Sequence, residues 1–180
     1  MRDVIIVGGG SAGLAAAVYT CRNQLDTVLF ERSVLGGQIS LTNEVENYPG
    51  FPEAVSGPEL TELLRRQAVK FGLTIENRAV TALSKGDGVF HLETDGGTET
   101  AKVVILATGA SPRFLGCPGE KEYTGRGVSY CATCDGPFFR NQELVVVGGG
   151  DAAVEEGHFL TRFASKVTIV HRRDQVPLPP

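Results

Sequence analysis

The sequence predicts an α/β protein of two Rossmann-like three-layer domains, of which the second is incomplete. Three observations predict this fold. Short apolar runs alternate with helical segments, two of the runs end in three glycines, and residues 4–32 recur at residues 144–172 without a gap. A buried parallel strand, a tight glycine turn and a helix follow one another in this class of fold. The offset of 140 residues (144 minus 4) places Gly8, Gly9, Gly10, Gly13 and Arg32 on Gly148, Gly149, Gly150, Ala153 and Arg172.

The first repeat predicts a strand, a helix and a second strand in that order. Residues 4–7 form a short apolar run, which is typical of a buried parallel strand. Residues 11–20 are rich in alanine with apolar spacing and predict a helix, and residues 27–30 predict the second strand, which ends on Glu31. The second repeat begins in the same way at Leu144.

Between the repeats we expect a loop, a helix and then strands. Gly, Asn and Pro are frequent in residues 36–52, which predicts an ordered loop. A helix is expected to begin near Pro58 and to end at Gly72. Residues 74–106 are expected to form strands, with residues 95–96, Asp-Gly, as a hairpin turn.

Proline and glycine then mark a crossing between two domains. They punctuate residues 110–120, as they do in segments without regular structure. We therefore expect a first domain at residues 1–112 and a second at residues 113–180.

Composition limits the functions that the chain can have. It has 180 residues, a net charge of -4, 42% hydrophobic and 21% charged residues, which is typical of a soluble globular protein. The mild, dispersed charge argues against a nucleic acid or an anionic membrane as a partner. No apolar run approaches the length of about 20 residues that spans a bilayer. Residues 1–3 lead straight into a strand and leave no room for a signal peptide, so we expect a cytoplasmic protein.

The first glycine motif predicts a dinucleotide site. In Gly8-x-Gly10-x-x-Gly13, the first glycine permits the tight turn, the second lets the backbone approach a pyrophosphate, and the third lets helix and strand pack closely. The helix N-terminus then offers N–H groups to the phosphates. Glu31, at the end of the next strand, is placed to accept hydrogen bonds from ribose hydroxyls. A glycine turn with a solvent-exposed glutamate is the alternative.

The second repeat differs where the nucleotide is read. His171 occupies the position of Glu31, and Arg172 and Arg173 follow it. A carboxylate repels a 2′-phosphate, whereas guanidinium groups pair with one. The first site therefore suits FAD or NAD and the second suits NADPH. A solvated basic strand end is the alternative, against which the gap-free repeat argues.

Two of the four cysteines have the spacing of a redox pair. Cys131 and Cys134 form a C-x-x-C motif beside βαβ patterns, which favours a reversible disulfide. Asp135 follows at once and is placed to exchange a proton with the thiols, although it also fits a plain Asp-Gly-Pro turn. Zinc needs four ligands and only Cys117 lies nearby in the sequence, so we expect no metal.

Seven segments of the chain together form a specific pattern. They are VGGGSAG (7–13), GGQ (36–38), EVENYPGFP (44–52), ATGASPR (107–113), CATCDGPFF (131–139), VVGGGDAAVEE (146–156) and HRRD (171–174). On these segments the chain resembles the bacterial low-molecular-weight thioredoxin reductases over nearly its whole length. The resemblance implies a homodimer with one FAD in each subunit. It further implies that NADPH reduces the flavin, that the flavin reduces the Cys131–Cys134 disulfide, and that the dithiol reduces thioredoxin, with a domain rotation about residues 110–118.

The resemblance also extends the set of candidate site residues. Cys131, Cys134 and Asp135 are the expected catalytic residues, with Asp135 as the acid. The residues expected to contact FAD are Gly8, Gly10, Ser11, Ala12, Gly13, Glu31, Arg32, Gly36, Gly37, Gln38, Asn47, Val80, Ala107, Thr108 and Gly109. Those expected to contact NADPH are Gly148, Gly150, Asp151, Ala152, Glu155, His171, Arg172 and Arg173.

The chain departs from the family's pattern near its end. Only one βαβ half of the second domain follows Leu144, the family's late Gly-Asp flavin segment has no match, and a further arginine expected after residues 171–174 is absent. The prolines of residues 175–180 forbid a helix. We expect a truncated reductase with little turnover of its own. The alternatives are a non-catalytic remnant and a related FAD-dependent dithiol oxidoreductase with another acceptor.

Overall fold

The structure, a computed structural model, describes residues 1–175. The chain forms two compact units, Met1–Ser111 and Pro112–Pro180. The expectation that prolines exclude a helix at the end of the chain falls on residues 176–180, outside the described residues.

The first unit is built on a six-stranded sheet in the order β3-β2-β1-β6-β5-β4. Strands β3, β2, β1 and β6 run parallel, and β5 and β4 extend the sheet in antiparallel fashion. The carboxyl ends of β1, β2 and β6 therefore meet at one edge. The elements are β1 (Arg2–Val7), α1 (Ser11–Arg22), β2 (Thr27–Glu31), a 3₁₀ helix (Gly37–Leu41), α2 (Gly57–Lys70), β3 (Thr74–Asn77), β4 (Val80–Gly86), β5 (Val89–Thr94) and β6 (Gly97–Leu106).

Side chains alternate between the two faces of this sheet, and each face has its own core. On one face Ile6 is fully buried with Leu14 of α1 and Leu60 of α2. On the other face its neighbour Ile5 is fully buried with Phe30 and with Leu92 of β5. Helices, parallel strands and the β4–β5 hairpin thus contribute to two cores, and the predicted α/β class is confirmed.

Two tight turns join the antiparallel strands. Thr94 pairs with Gly97, so the predicted hairpin turn at residues 95–96 is confirmed. A second turn joins β4 to β5 at Asp87 and Gly88, whose φ angles of 50° and 80° are those of the type I′ turn that Asp-Gly favours. The predicted loop at residues 36–52 contains the 3₁₀ helix, which its composition does not indicate.

The second unit contains one βαβ arrangement preceded by an irregular segment. Strands β7 and β8 pair in parallel. The irregular segment leads into a short helix that begins next to Cys131. The elements are α3 (Ala132–Asp135), a 3₁₀ helix (Gly136–Phe139), β7 (Glu143–Val147), α4 (Asp151–Leu160) and β8 (Lys166–Val170).

The internal repeat is present in the backbone as well as in the sequence. Gly8 N donates to Phe30 O at 2.9 Å, and Gly148 N donates to Val170 O at 3.0 Å. The two donors are 140 residues apart in the sequence, and so are the two acceptors. The two glycine loops are therefore bonded to the following parallel strand in the same way. Within residues 1–175, no helix is long and apolar enough to cross a membrane.

Candidate functional site

The glycines of the first loop have two different environments. A Cβ on Gly8 would overlap the carbonyl of Ala107, and a Cβ on Gly13 would overlap the carbonyl of Gly8. Both glycines therefore permit close backbone packing. Gly10 is different, because the nearest atom to a Cβ there is Gly36 O at 4.0 Å. The space above Gly10 is open, as the approach of a pyrophosphate requires.

Helix α1 begins directly behind this open space. Its N-cap is Gly10, and no side chain caps the helix. The N–H groups of the first turn, at Ser11, Ala12 and Gly13, have no acceptor within a helix of this geometry, so they are available to an anion. The loop and the helix together fit the diphosphate of a dinucleotide.

Glu31 stands at the carboxyl end of β2, beside the same loop. Its Oε2 accepts a hydrogen bond from Gly9 N at 2.7 Å, and its Oε1 accepts one from Ser33 N at 2.9 Å. These bonds hold the carboxylate at the edge where β1 and β2 end. Oε1 also accepts from Ser33 Oγ at 3.3 Å, whereas Oε2 accepts only from Gly9 N among the described residues. Oε2 therefore keeps a lone pair that can accept from a ribose hydroxyl.

Two other predicted segments reach the first glycine loop. Gly36 N donates to Gly9 O at 2.9 Å, which brings the Gly36-Gly37-Gln38 segment beside it. Ala107 N donates to Val7 O at 2.8 Å, so the segment that begins with Ala107 and continues through Thr108 and Gly109 lies at the same edge.

The remaining first-site candidates are more dispersed. Asn47 is exposed in the loop of residues 46–52, which lines an open cavity of about 460 Å³. Val80 begins β4 and packs against the core that contains Phe30. Arg32 is exposed beside Glu31.

The second glycine loop also contains closely packed glycines and one glycine that faces open space. A Cβ on Gly149 would overlap the imidazole of His171, whereas a Cβ on Gly150 would meet nothing within 4 Å. A Cβ on Gly148 would lie 2.8 Å from the Cβ of Ala153, which stands where the first loop has Gly13. His171 thus lies against the middle glycine, as Glu31 does in the first unit.

The side chains around the second loop are basic at one end and acidic at the other. Arg172 and Arg173 are exposed beyond His171, and the Nε2 atom of His171 is buried without a hydrogen-bond partner among the described residues. Asp151, Ala152 and Glu155 are exposed on the first turns of α4, whose N-cap, Gly150, leaves it without a side-chain cap.

Cys131 and Cys134 form a disulfide in the second unit, with their Cα atoms 5.3 Å apart. Cys131 is the N-cap of α3, and its carbonyl accepts from Asp135 N at 3.1 Å. Cys131 is half-buried and Cys134 is exposed. Gly136 then packs under α4, where a Cβ would lie 3.0 Å from Leu160 Cδ2. The short helix therefore holds the disulfide at the surface, within reach of a reductant.

Comparison with known proteins places this arrangement in a family. The family described as pyridine nucleotide-disulphide oxidoreductase matches residues 2–179. The chain belongs to this family. Thioredoxin reductase from Treponema pallidum is 55% identical over 172 residues, which are 96% of this chain and 56% of that protein. Thioredoxin reductase from Bacillus subtilis is 53% identical over 174 residues, 97% of this chain and 55% of that protein.

Solved structures agree. Thioredoxin reductase from Streptococcus pyogenes superposes with a TM-score of 0.92 at 48% identity, covering 98% of this chain and 57% of that one. The enzyme from Giardia duodenalis gives 0.89 at 40% identity, covering 97% and 57%. The chain spans about half the length of the curated relatives it matches.

One buried side chain, that of Glu120, is not indicated by any of the sequence motifs. Glu120 is only 5% exposed, and its carboxylate accepts from Leu115 N at 2.8 Å, Gly116 N at 2.7 Å and Tyr130 Oη at 3.0 Å. The N–H of Leu115, with further hydrogen bonds, holds the pKa of Glu120 below its ordinary value. The neighbouring Pro-Gly turn is the only local signal, and it does not indicate that the side chain turns inward.

Metal ligands are not grouped in the described part of the chain. Across residues 1–175, no cluster of three or more His, Cys, Asp or Glu side chains could hold a metal ion.

Proposed function

We propose that the chain carries the nucleotide-binding and redox residues of an NADPH-dependent thioredoxin-disulfide reductase. In this proposal the first unit holds FAD, the second holds NADPH, and the Cys131–Cys134 disulfide is the group that electrons reach. One observation carries the proposal: the disulfide lies in the same unit as a glycine loop in which His171 replaces the carboxylate of Glu31.

The contrast between the two glycine loops supports a different ligand for each. Gly10 and Gly150 both leave open space for a pyrophosphate. Glu31 offers a carboxylate to ribose hydroxyls in the first unit. His171, Arg172 and Arg173 offer only neutral or cationic groups in the second, which suits a 2′-phosphate. The same basic residues argue against relatives that take electrons from a donor other than NADPH.

The proposed redox step uses Cys131, the N-cap of α3, together with Cys134 and Asp135 of the same helix. When bound, NADPH and FAD supply the two electrons of a hydride. The Cys131–Cys134 bond takes up two electrons and two protons and becomes two thiols. One thiolate then attacks the disulfide of the substrate, the second cysteine resolves the mixed disulfide, and the substrate leaves as a dithiol. Asp135, which ends α3, is proposed to hold and move a proton at the cysteine sulfurs.

Similarity to proteins named thioredoxin reductase supports thioredoxin as the disulfide substrate and favours a reductase over a non-catalytic remnant. The proposal includes a homodimer, as the family resemblance implies. It also includes a cytoplasmic location, because the cytoplasm is the compartment in which thioredoxin keeps thiols reduced.

Titration of the cysteines tests the proposal directly. The chain is incubated with FAD and NADPH, and its free thiols are counted before and after by alkylation. Because little repeated turnover is expected of this chain, the test counts a single reduction. We expect two additional thiols, at Cys131 and Cys134, and transfer of their electrons to oxidised thioredoxin. The Cys131→Ser and Cys134→Ser variants control for unspecific reduction. Transfer to thioredoxin that is as fast in either variant as in the wild type would overturn the proposal.

A further inference from the structure

We propose that Glu120 is a positioning residue for the redox pair. Its buried carboxylate ties residues 115–116 to Tyr130, the residue directly before Cys131, and so holds the backbone that leads into the disulfide. This inference rests on the proposed function, because it concerns the same cysteines.

The carboxylate is bonded on two sides. Oε1 of Glu120 accepts from Leu115 N at 2.8 Å and from Tyr130 Oη at 3.0 Å, and Oε2 accepts from Gly116 N at 2.7 Å. A buried carboxylate is costly unless such bonds compensate for lost water. Thr124 Oγ1 also donates to the carbonyl of Glu120 at 2.8 Å, which fixes its backbone. Both carboxylate oxygens therefore have a donor, and the residue is held in place at its side chain and at its backbone.

Tyr130 is held by its ring as well as by its hydroxyl. The ring meets Phe114 edge to face, with centroids 5.6 Å apart. Tyr130 is 37% exposed. Partial desolvation of its hydroxyl, and the neighbouring Glu120 carboxylate, raise the pKa of Tyr130, so the phenol stays protonated and remains the donor. The ring contact joins Tyr130 to Phe114 directly, and the hydroxyl joins it to residues 115–116 through the Glu120 carboxylate.

The anchoring continues directly into the first cysteine. Cys131 N donates to Ser129 Oγ at 3.1 Å, and the same hydroxyl donates to Cys131 O at 3.3 Å. On the other side, Asp135 N donates to Cys131 O. Cys131 is thus fixed between the Glu120–Tyr130 contact and α3, at a Cα separation of 5.3 Å from Cys134 that suits a disulfide.

A fixed backbone favours the disulfide over the two thiols. Exchange with glutathione converts the protein disulfide and two glutathione thiols into a protein dithiol and glutathione disulfide, so it measures how readily the two cysteines rejoin. If the backbone before Cys131 becomes more mobile, the two sulfurs meet less often and the equilibrium shifts towards the dithiol. Because Tyr130 is 37% exposed, its bond to Glu120 contributes as an ordinary hydrogen bond does, and we expect its loss to shift this equilibrium constant by roughly threefold to tenfold.

The test compares three variants of the chain with the wild type in defined glutathione buffers. Tyr130→Phe removes only the hydroxyl and keeps the ring on Phe114. Glu120→Gln removes the charge, and Glu122→Gln makes the same chemical change at an exposed glutamate. The dithiol fraction is read by alkylation and mass spectrometry at equilibrium, and the unfolding temperature is measured in parallel.

We expect Tyr130→Phe and Glu120→Gln to shift the equilibrium towards the dithiol and Glu122→Gln to leave it unchanged. If Glu120→Gln does not fold, Tyr130→Phe decides. If the wild-type cysteines are reduced and reoxidised reversibly but Tyr130→Phe has the same equilibrium constant as the wild type, the inference is overturned. This holds even if the unfolding temperature of Tyr130→Phe falls. A wild-type pair that neither glutathione nor NADPH with FAD can reduce would overturn the proposed function together with the inference.

Discussion

The imidazole of His171 lies against the Cα of Gly149, so that any side chain at residue 149 would overlap the ring. The equivalent contact in the first unit is made by Glu31, whose carboxylate accepts from Gly9 N at 2.7 Å. The same backbone arrangement therefore presents a carboxylate in one unit and an imidazole in the other. This difference is the structural basis for assigning different nucleotides to the two loops.

Adjacent glycines in the second loop are expected to respond differently to alanine. Gly149→Ala places a methyl group inside the His171 ring position and should destabilise the second unit by about 1–3 kcal/mol. Gly150→Ala meets nothing within 4 Å and should leave stability within about 0.5 kcal/mol of wild type. Thermal or denaturant unfolding of the two variants measures this. A Gly149→Ala protein as stable as Gly150→Ala would contradict the contact.

The first loop offers a matched pair that separates folding from cofactor binding. Gly13→Ala overlaps the carbonyl of Gly8 and should lower the unfolding midpoint. Gly10→Ala fills only open space, so the chain should fold normally. Its methyl group would nevertheless stand where the pyrophosphate approaches, and we expect at least tenfold weaker FAD binding, about 1.4 kcal/mol. Flavin fluorescence titration measures the affinity, and equal FAD affinity in wild type and Gly10→Ala would place the flavin elsewhere.

Much of this arrangement is predictable because it is local and repeated. The spacing of Gly8, Gly10 and Gly13 is dictated by the turn between a strand and a helix, and the 140-residue offset identifies His171 as the counterpart of Glu31. These features depend on a few neighbouring residues, so the sequence contains the information.

Other features depend on the path of the chain and were not predicted. Glu120 is buried because an irregular segment brings the N–H groups of residues 115–116 and the hydroxyl of Tyr130 around it. No periodicity marks such a segment. The hairpin turn at residues 87–88 is a different case, because its local signal, Gly86-Asp87-Gly88, is as clear as that of residues 95–96. The expectation of strands through residues 74–106 names only the second of these turns.

The two arginines beyond His171 should distinguish NADPH from NADH. Arg172 and Arg173 are exposed, so replacing both with glutamine should not affect folding. Each charge-assisted bond to a 2′-phosphate contributes about 1.5–3 kcal/mol, so the dissociation constant for NADPH should rise at least tenfold. NADH lacks that phosphate, and its dissociation constant should change little. Calorimetric titration with both nucleotides is the measurement, and equal weakening of both would remove the 2′-phosphate assignment.

Glu120 should also make the stability of the chain depend on pH in acid. Its pKa in the folded state lies below the ordinary value because backbone N–H groups, that of Leu115 foremost, stabilise the carboxylate. The folded state therefore binds the proton less readily than the unfolded chain, in which a glutamate titrates at about 4.3. The stabilisation is complete above that pH and is lost as the pH falls through the folded-state pKa.

The Glu120→Gln variant isolates this contribution. We expect its free energy of unfolding to be lower than that of wild type at pH 6 and the difference to shrink as the pH falls below about 4.3. Asp3 and Glu62, whose pKa values are lowered by hydrogen bonds from Lys102 and Arg65, remain in both proteins, so their contributions cancel in the comparison. Denaturant unfolding between pH 6 and pH 2.5 gives the two curves. Parallel curves would show that the buried carboxylate does not titrate with unfolding, and would exclude the backbone hydrogen bonds as a source of its stabilisation.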